Sequence, residues 1–216
     1  MWRFTSIILA AVLIFLSLVL YRAGVAEYRY GRTEFSYGNV LGSVKSASEL
    51  DTNALQNLIS ELNNLDDTPL YPSRYLEYLG SLHSLLADKS VWRSEKQSNS
   101  RLSAQYFAAA LDKRGPSDSY LRLKLIDALH AQAKPAEEIQ RHVIQAMHYR
   151  PNIHSLTPSF LWYCLEYIDL ESINFSHACR TTYKRFENTG RWYEYFVLQN
   201  TAHRNYNLLV NVTSGN

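Results

Sequence analysis

The hydrophobic pattern at the start of the chain is a run of apolar positions without a single charge, from Phe4 to Leu20. With Tyr21 the run has about 18 residues, or roughly 27 Å of helix, which is close to the hydrocarbon thickness of a bilayer. Trp2 and Tyr21 flank it, where aromatic rings favour the membrane interface. The pattern predicts a transmembrane helix within an N-terminal membrane anchor, residues 1–26. The alternatives are a signal sequence cleaved at the small residues 23–26 and a buried core helix.

The charges beside this run give two opposite indications of its orientation. Arg3 and the amino terminus precede the run, and Arg22, Arg29 and Arg32 follow it. Counting only Lys and Arg therefore favours a cytoplasmic C-terminal side. A short basic start before an apolar run is instead the layout of a secretory signal, and we predict export of the long C-terminal part. Arg22 also separates the run from the small residues behind it, which favours an anchor that is not cleaved.

The pattern changes twice after the anchor. Residues 27–48 mix aromatic and small residues without a clear period, so we predict a juxtamembrane connector there. Across residues 49–208 apolar positions recur at helical spacing, and residues 209–216 form a polar tail. The predicted fold class is all-α: a single N-terminal transmembrane helix followed by a helical-hairpin domain.

Several helix boundaries follow from this spacing. Asp51 or Ser48 can cap the first helix of the domain, because a side-chain oxygen can accept a free backbone N–H there. Its apolar positions share one face: Leu55, Leu58, Ile59, Leu62 and Leu65. Ser73 and Pro158 begin later helices. The polar segment 94–100 is predicted to be an exposed loop, and residues 191–208 to be a single helix.

Two segments of the domain resemble each other. Residues 102–116 and 138–151 each place an aromatic or β-branched residue three positions before an Ala, with a Pro a few residues beyond. Ala110 and Ala146 are 36 residues apart, and a period near 34 with this pattern is typical of tetratricopeptide repeats. We predict degenerate tetratricopeptide-like helical hairpins. The alternative is an ordinary helical bundle with chance spacing.

Composition excludes several classes of protein. Apolar residues make up 46% of the chain and charged residues 19%, which is typical of a folded protein rather than a disordered one. A net charge of +2 gives no electrostatic basis for nucleic-acid binding. Two Cys exclude a multi-cysteine metal module. The sequence contains no P-loop, G-x-G-x-x-G, G-x-S-x-G or H-E-x-x-H motif. We predict no enzymatic activity, with no catalytic residue, cofactor or metal.

Cys164 and Cys179 are the two cysteines, and they lie on adjacent predicted helices. Antiparallel neighbours could bring their Cα atoms within about 6 Å, the reach of a disulfide. If the domain is exported, a disulfide between them becomes reasonable. The alternative is two buried, apolar thiols.

Tyrosine is the most unusual feature of the composition, with 16 Tyr beside 8 Phe and 4 Trp. Tyr gives a large contact area at low entropic cost and can stack on sugar faces or fill partner pockets. The residues predicted to form an exposed aromatic surface are Trp192, Tyr193, Tyr195 and Tyr206. The alternative is that Tyr side chains only pack the edges of helices.

The layout of the chain resembles the VpsP-like family, small proteins of bacterial exopolysaccharide biosynthesis loci. The resemblance covers nearly the whole chain and includes the stretches SAQYFAAALDKRGP and QAMHYRPNIHSL. It implies a role in polysaccharide assembly or export. Together with the predicted anchor, the repeat-like period and the lack of catalytic motifs, this leads to the hypothesis of a non-catalytic accessory or scaffold protein of the bacterial inner membrane, largely periplasmic, whose partners are other proteins of an envelope polysaccharide complex. Two alternatives remain: a glycan-binding or glycan-modifying domain that uses its Tyr and Trp side chains, and a helical adaptor that faces the cytoplasm.

Overall fold

The computed structural model describes residues 12–25, 28, 31, 51–64, 72–149, 155–168 and 172–210. All regular elements in these ranges are helical, which confirms the all-α class. Residues 4–11 of the predicted transmembrane helix lie outside the described residues. So do nearly all of the predicted connector and residues 211–216 of the predicted polar tail.

The first described element, α1, covers residues 12–25. Its large apolar side chains are exposed, with 67% of Phe15 and 70% of Leu20 accessible. The hydroxyl of Ser17 donates to the backbone carbonyl of Leu13 at 2.8 Å, so this polar group is paired within the helix itself. Across the described residues, none of the helices combines the length and the apolar character that a membrane crossing requires.

Nine further helices form the domain in the described ranges. They are α2 (Thr52–Asn63), α3 (Pro72–Lys89), α4 (Arg93–Arg114), α5 (Ser119–Ala131), α6 (Ala136–Tyr149), α7 (Thr157–Tyr167), α8 (Ile173–Phe186), α9 (Arg191–Asn200) and α10 (Tyr206–Val210). From α2 to α8 each helix contacts the next one in the chain, most extensively at α3 and α4. This sequential packing of neighbours supports a helical-repeat arrangement, while the tetratricopeptide-like period stays a prediction.

Two aspartates begin helices as caps. Asp51 accepts a hydrogen bond from the backbone N–H of Asn53 at 2.9 Å and starts α2, as predicted. Asp118 accepts from the N–H of Leu121 at 3.0 Å and starts α5. The same Asp118 carboxylate pairs with Arg114 at the end of α4, at 3.1 Å, so the cap also joins two consecutive helices.

The prediction of a loop at residues 94–100 is wrong, because these residues form the first two turns of α4, while the predicted exposure is confirmed for residues 94–98. Small polar residues take the place of apolar ones on the packed face of this helix, where Ser100 and Ser103 are buried. The Ser103 hydroxyl donates to the carbonyl of Gly80 at 2.8 Å. Residues 191–208 were also predicted as a single helix, which is wrong: the chain turns between Asn200 and Tyr206 to give α9 and α10.

Two hydrophobic clusters hold the domain together. The smaller cluster joins α2 to α3 through the predicted leucine face, of which the described buried members are Leu55, Leu58 and Leu62. The larger one runs from α4 to α10, and α7 contributes side chains on several sides of the helix: Phe160, Leu161, Tyr163, Cys164 and Leu165. Helix α7 is therefore the central helix of the domain, as its nearly continuous apolar sequence predicts.

Helices α3 and α4 approach each other closely at Gly80. A Cβ atom placed on Gly80 would lie 2.7 Å from ring carbons of Phe107 in α4. Phe107 is buried and cannot easily move away. Gly80 therefore allows this close contact because it has no side chain.

We expect Gly80→Ala to lower the free energy of unfolding by about 1 kcal/mol, measured by urea denaturation of the full chain. Overpacking typically costs about 1–3 kcal/mol and outweighs the roughly 1 kcal/mol that Ala gains over Gly in a helix. In the double variant Gly80→Ala/Phe107→Leu, the smaller side chain should relieve the clash, so its loss should be less than the sum of the two single losses. Strict additivity, or a stabilised Gly80→Ala, would contradict this close contact.

Candidate functional site

An open groove lies where α5, α7 and α9 meet. It has a volume of about 510 Å³. The described residues that line it are Asp127, Pro158, Ser159, Trp162, Tyr163, Tyr195, Phe196, Gln199 and Asn200. The lining thus combines aromatic rings with a carboxylate, a hydroxyl and two amides, and we call it the aromatic groove.

Helix α7 supplies one wall of the aromatic groove because of how its sequence begins. Pro158 occupies one of the first helical positions, where a missing backbone N–H costs nothing. The helix then directs Leu161 and Leu165 into the core. Trp162 lies between them in sequence and is only partly buried, at the groove.

The buried Tyr163 connects this wall to α5. Its hydroxyl donates a short hydrogen bond to the Asp127 carboxylate. Desolvation raises the pKa of Asp127 above its usual value, while the bond from Tyr163 and the nearby His130 and Lys124 act in the opposite direction. Burial also raises the pKa of Tyr163 strongly, and the Asp127 charge adds to that rise. Tyr163 therefore keeps its proton and remains a hydrogen-bond donor to Asp127.

Aromatic rings enclose His130, one turn after Asp127 on α5. Its Nδ1 shares a hydrogen bond of 2.6 Å with the hydroxyl of Tyr167. The rings of Trp162, Tyr163 and Tyr167 meet the imidazole edge to face, at centroid distances of 5.5, 5.6 and 5.8 Å. The Trp162 ring, which lines the groove, therefore packs edge to face against the His130 imidazole.

Polar contacts with the 201–205 turn hold α9 near α7. The Asn205 side-chain amide donates to the carbonyl of Leu165 at 2.7 Å, and the His203 Nε2 lies 3.2 Å from the Glu166 carboxylate. These bonds tie the segment after α9 to α7, and Tyr195 and Gln199 of α9 line the aromatic groove together with Trp162 of α7. Tyr195 is 58% exposed and can be reached from solvent.

The four residues predicted to form one aromatic surface separate into two pairs. Trp192 and Tyr195 are exposed, but of the two only Tyr195 lines the aromatic groove. Tyr193 and Tyr206 are partly buried, and each shares a hydrogen bond of 3.1 Å with the hydroxyl of the buried Tyr183. These two residues pack α9 and α10 against α8, because a buried hydroxyl needs a partner.

Cys164 and Cys179, the predicted possible disulfide pair, are joined by a disulfide that connects α7 to α8. Their Cα atoms are 5.7 Å apart, and both residues are fully buried. The bond lies on the core side of α7, away from the Trp162 side chain. It therefore supports the helix that forms the groove wall without itself lining the groove.

Within the described ranges, no cluster of three or more His, Cys, Asp or Glu side chains is placed to hold a metal ion. Comparisons of the chain with protein families, with curated proteins and with solved structures find no match in any of the three.

We expect Tyr163→Phe to raise the pKa of Asp127 further, because the lost hydroxyl stabilises the charged carboxylate. The measurement is an NMR pH titration of the Asp127 side-chain carboxyl carbon. Tyr167→Phe is the matched control, since the Tyr167 hydroxyl bonds to His130 and not to Asp127. An Asp127 titration that is the same in Tyr163→Phe and in the unchanged protein would contradict the role assigned to this bond.

Proposed function

We propose that this protein is a membrane-anchored, non-catalytic accessory protein of the bacterial cell envelope that binds a neutral glycan in the aromatic groove. The observation that carries the proposal is the composition of that groove: the Trp162 and Tyr195 rings beside the polar groups of Asp127, Gln199 and Asn200. Its place would be in exopolysaccharide biosynthesis or export, which the VpsP-like resemblance suggests.

A sugar ring fits such a lining for simple chemical reasons. It has apolar C–H faces, which stack on Trp and Tyr rings, and a rim of hydroxyl groups that donate and accept hydrogen bonds. Asp127 offers acceptors, and the amide of Gln199 offers both donors and acceptors. The open shape of the groove also suits one part of a long chain better than a small, enclosed ligand.

The charge of the groove favours a neutral glycan. Asp127 is the one charged residue among the described residues that line it. A nearby carboxylate repels acidic sugars, so uronate-rich chains are poorer ligands. Glycoside hydrolases usually position a pair of carboxyl groups around the scissile bond, and this lining presents one. We therefore propose binding rather than hydrolysis.

Two features support a tethered, exported domain. The described part of the apolar run is helical with its large side chains exposed, as a lipid-facing helix requires. The disulfide between Cys164 and Cys179 suits an oxidising compartment such as the bacterial periplasm. Together they favour an inner-membrane anchor with a periplasmic domain over an adaptor that faces the cytoplasm.

We expect Trp162→Ala and Tyr195→Ala each to weaken binding of a neutral hexasaccharide by about tenfold or more, as loss of a stacking anchor does at other interfaces. The measurement is calorimetric titration of the full chain in detergent with cellohexaose and maltohexaose. Trp192→Ala is the matched control, because Trp192 is exposed on α9 but does not line the groove.

This binding experiment has clear contrary outcomes. No heat of binding with either neutral hexasaccharide, or an equal loss in Trp192→Ala, would contradict the aromatic groove as the binding site. An oligogalacturonate that binds more tightly than both neutral chains would contradict the assigned charge preference.

We expect the chain in bacterial membranes to resist alkaline extraction. Because both cysteines are fully buried, their labelling by a maleimide reagent is measured in denaturant, where we expect them to react only after reduction. A variant without residues 4–20 should remain in the cytoplasm, and its thiols should react in denaturant without reduction, since glutathione and thioredoxin keep them reduced there. Thiols of the full chain that react in denaturant without reduction would favour the cytoplasm-facing adaptor, and release by alkali would contradict the membrane anchor.

A further inference from the structure

A second cleft, separate from the aromatic groove, lies between α4, α5 and α6. It has a volume of about 320 Å³, and its lining includes Leu111, Asp112, Arg122 and His142. None of its described lining residues also lines the aromatic groove. We call it the arginine cleft.

Arg122 is the unusual residue in this cleft, because it is charged and only 4% exposed. Its Nη1 donates to Gln145 Oε1 at 2.6 Å and lies 3.3 Å from His142 Nδ1, and its Nη2 donates to the carbonyl of Pro116 at 2.8 Å. The guanidinium also lies over the ring of Tyr149, 5.7 Å from its centroid. All of these partners are neutral acceptors or π-systems when His142 is uncharged, so they orient the cation without neutralising it.

One polar atom of Arg122 remains unused. Its Nε is buried and has no hydrogen-bond partner among the described residues. Within the same part of the chain, no carboxylate forms an ion pair with Arg122. A buried cation without a compensating charge is costly, and an unpaired Nε–H adds to that cost.

We propose that the arginine cleft binds an oxyanion, a carboxylate or phosphate group of a ligand or partner, with Arg122 as the binding residue. The unpaired Nε–H can donate to one oxygen of a carboxylate or phosphate group, and the guanidinium charge stabilises that group. Such a group supplies both elements that Arg122 lacks: an acceptor for Nε and a negative charge.

The charges around the cleft are consistent with this assignment. Burial lowers the pKa of His142, and the nearby positive charges of Arg122 and Arg141 lower it further against an opposing effect of Glu138. Neutral His142 can accept from Arg122 and leaves the guanidinium as the dominant charge. Asp112 also lines the cleft, and its exposed negative charge opposes the binding of an anion there, so its removal should strengthen binding.

The test is the thermal unfolding of the full chain in detergent, titrated with inorganic phosphate or with succinate against sodium chloride of matched ionic strength. We expect a saturable rise in Tm with at least one of the two probes. Arg122→Gln should weaken its apparent affinity by about tenfold or more. Arg185→Gln, which removes an exposed arginine from α8, should leave the affinity unchanged.

A rise with phosphate alone assigns a phosphate ligand, and a rise with succinate alone assigns a carboxylate. No saturable rise with either probe, or an equal rise in Arg122→Gln, overturns the proposal. Asp112→Asn keeps the test decisive if Arg122→Gln does not fold. Removing this exposed charge should strengthen binding by about two- to fivefold, and an unchanged affinity in Asp112→Asn overturns the proposal in that case.

Discussion

The hydrogen bond from Tyr163 to Asp127 is the interaction on which the aromatic groove depends. It joins α5 and α7, which are not consecutive in the chain, and both of its residues line the groove. The apolar core does not direct any particular side chain, because hydrophobic contact is non-directional. Tyr163 is buried while Asp127 is exposed, so the bond gives the Tyr163 hydroxyl an acceptor, and leaving this buried donor unpaired would be costly.

Helix α7 serves the core and the groove at the same time. On one side Cys164 is bonded to α8, and Leu161 and Leu165 are packed in the core. On the other side Trp162 meets His130 and lines the groove. The covalent bond on the buried side of α7 limits the movement of the whole helix, including its exposed side. A ligand that stacks on Trp162 therefore meets a ring that is already oriented, which reduces the entropic cost of binding.

The sequence was sufficient for the fold class and for the faces of strongly periodic helices. The spacing of Leu55, Leu58 and Leu62 predicts the buried face of α2, and Asp51 predicts its start. Polar composition predicts a loop at residues 94–100, but residues 94–98 form solvent-exposed helix, and the packed face of α4 begins at the buried Ser100 and Ser103. The Ser103 hydroxyl bonds to the backbone carbonyl of Gly80. The spacing of apolar residues predicts which apolar side chains are buried. It does not predict that a small polar residue is buried where two helices pack closely.

The aromatic groove was only partly predictable. Tyr195 was among the expected surface residues, but Trp162 lies in a segment so apolar that its sequence predicts burial all round. Asp127 and Trp162 are 35 residues apart, and no local pattern brings them together; the packing of α5 against α7 does. Likewise, no local pattern in the sequence predicts that Arg122 forms no ion pair with a described acidic residue. That property depends on how α4, α5 and α6 pack together.

The most direct test of the glycan-binding claim is a heteronuclear NMR spectrum of the full chain in detergent, recorded with increasing cellohexaose or maltohexaose. If the aromatic groove binds the sugar, the Trp162 indole N–H and the Gln199 side-chain amide should show saturable shifts, with the Trp192 indole N–H unchanged. Shifts at Trp192 without any at Trp162, or no saturable shift at either residue with both sugars, would contradict this claim.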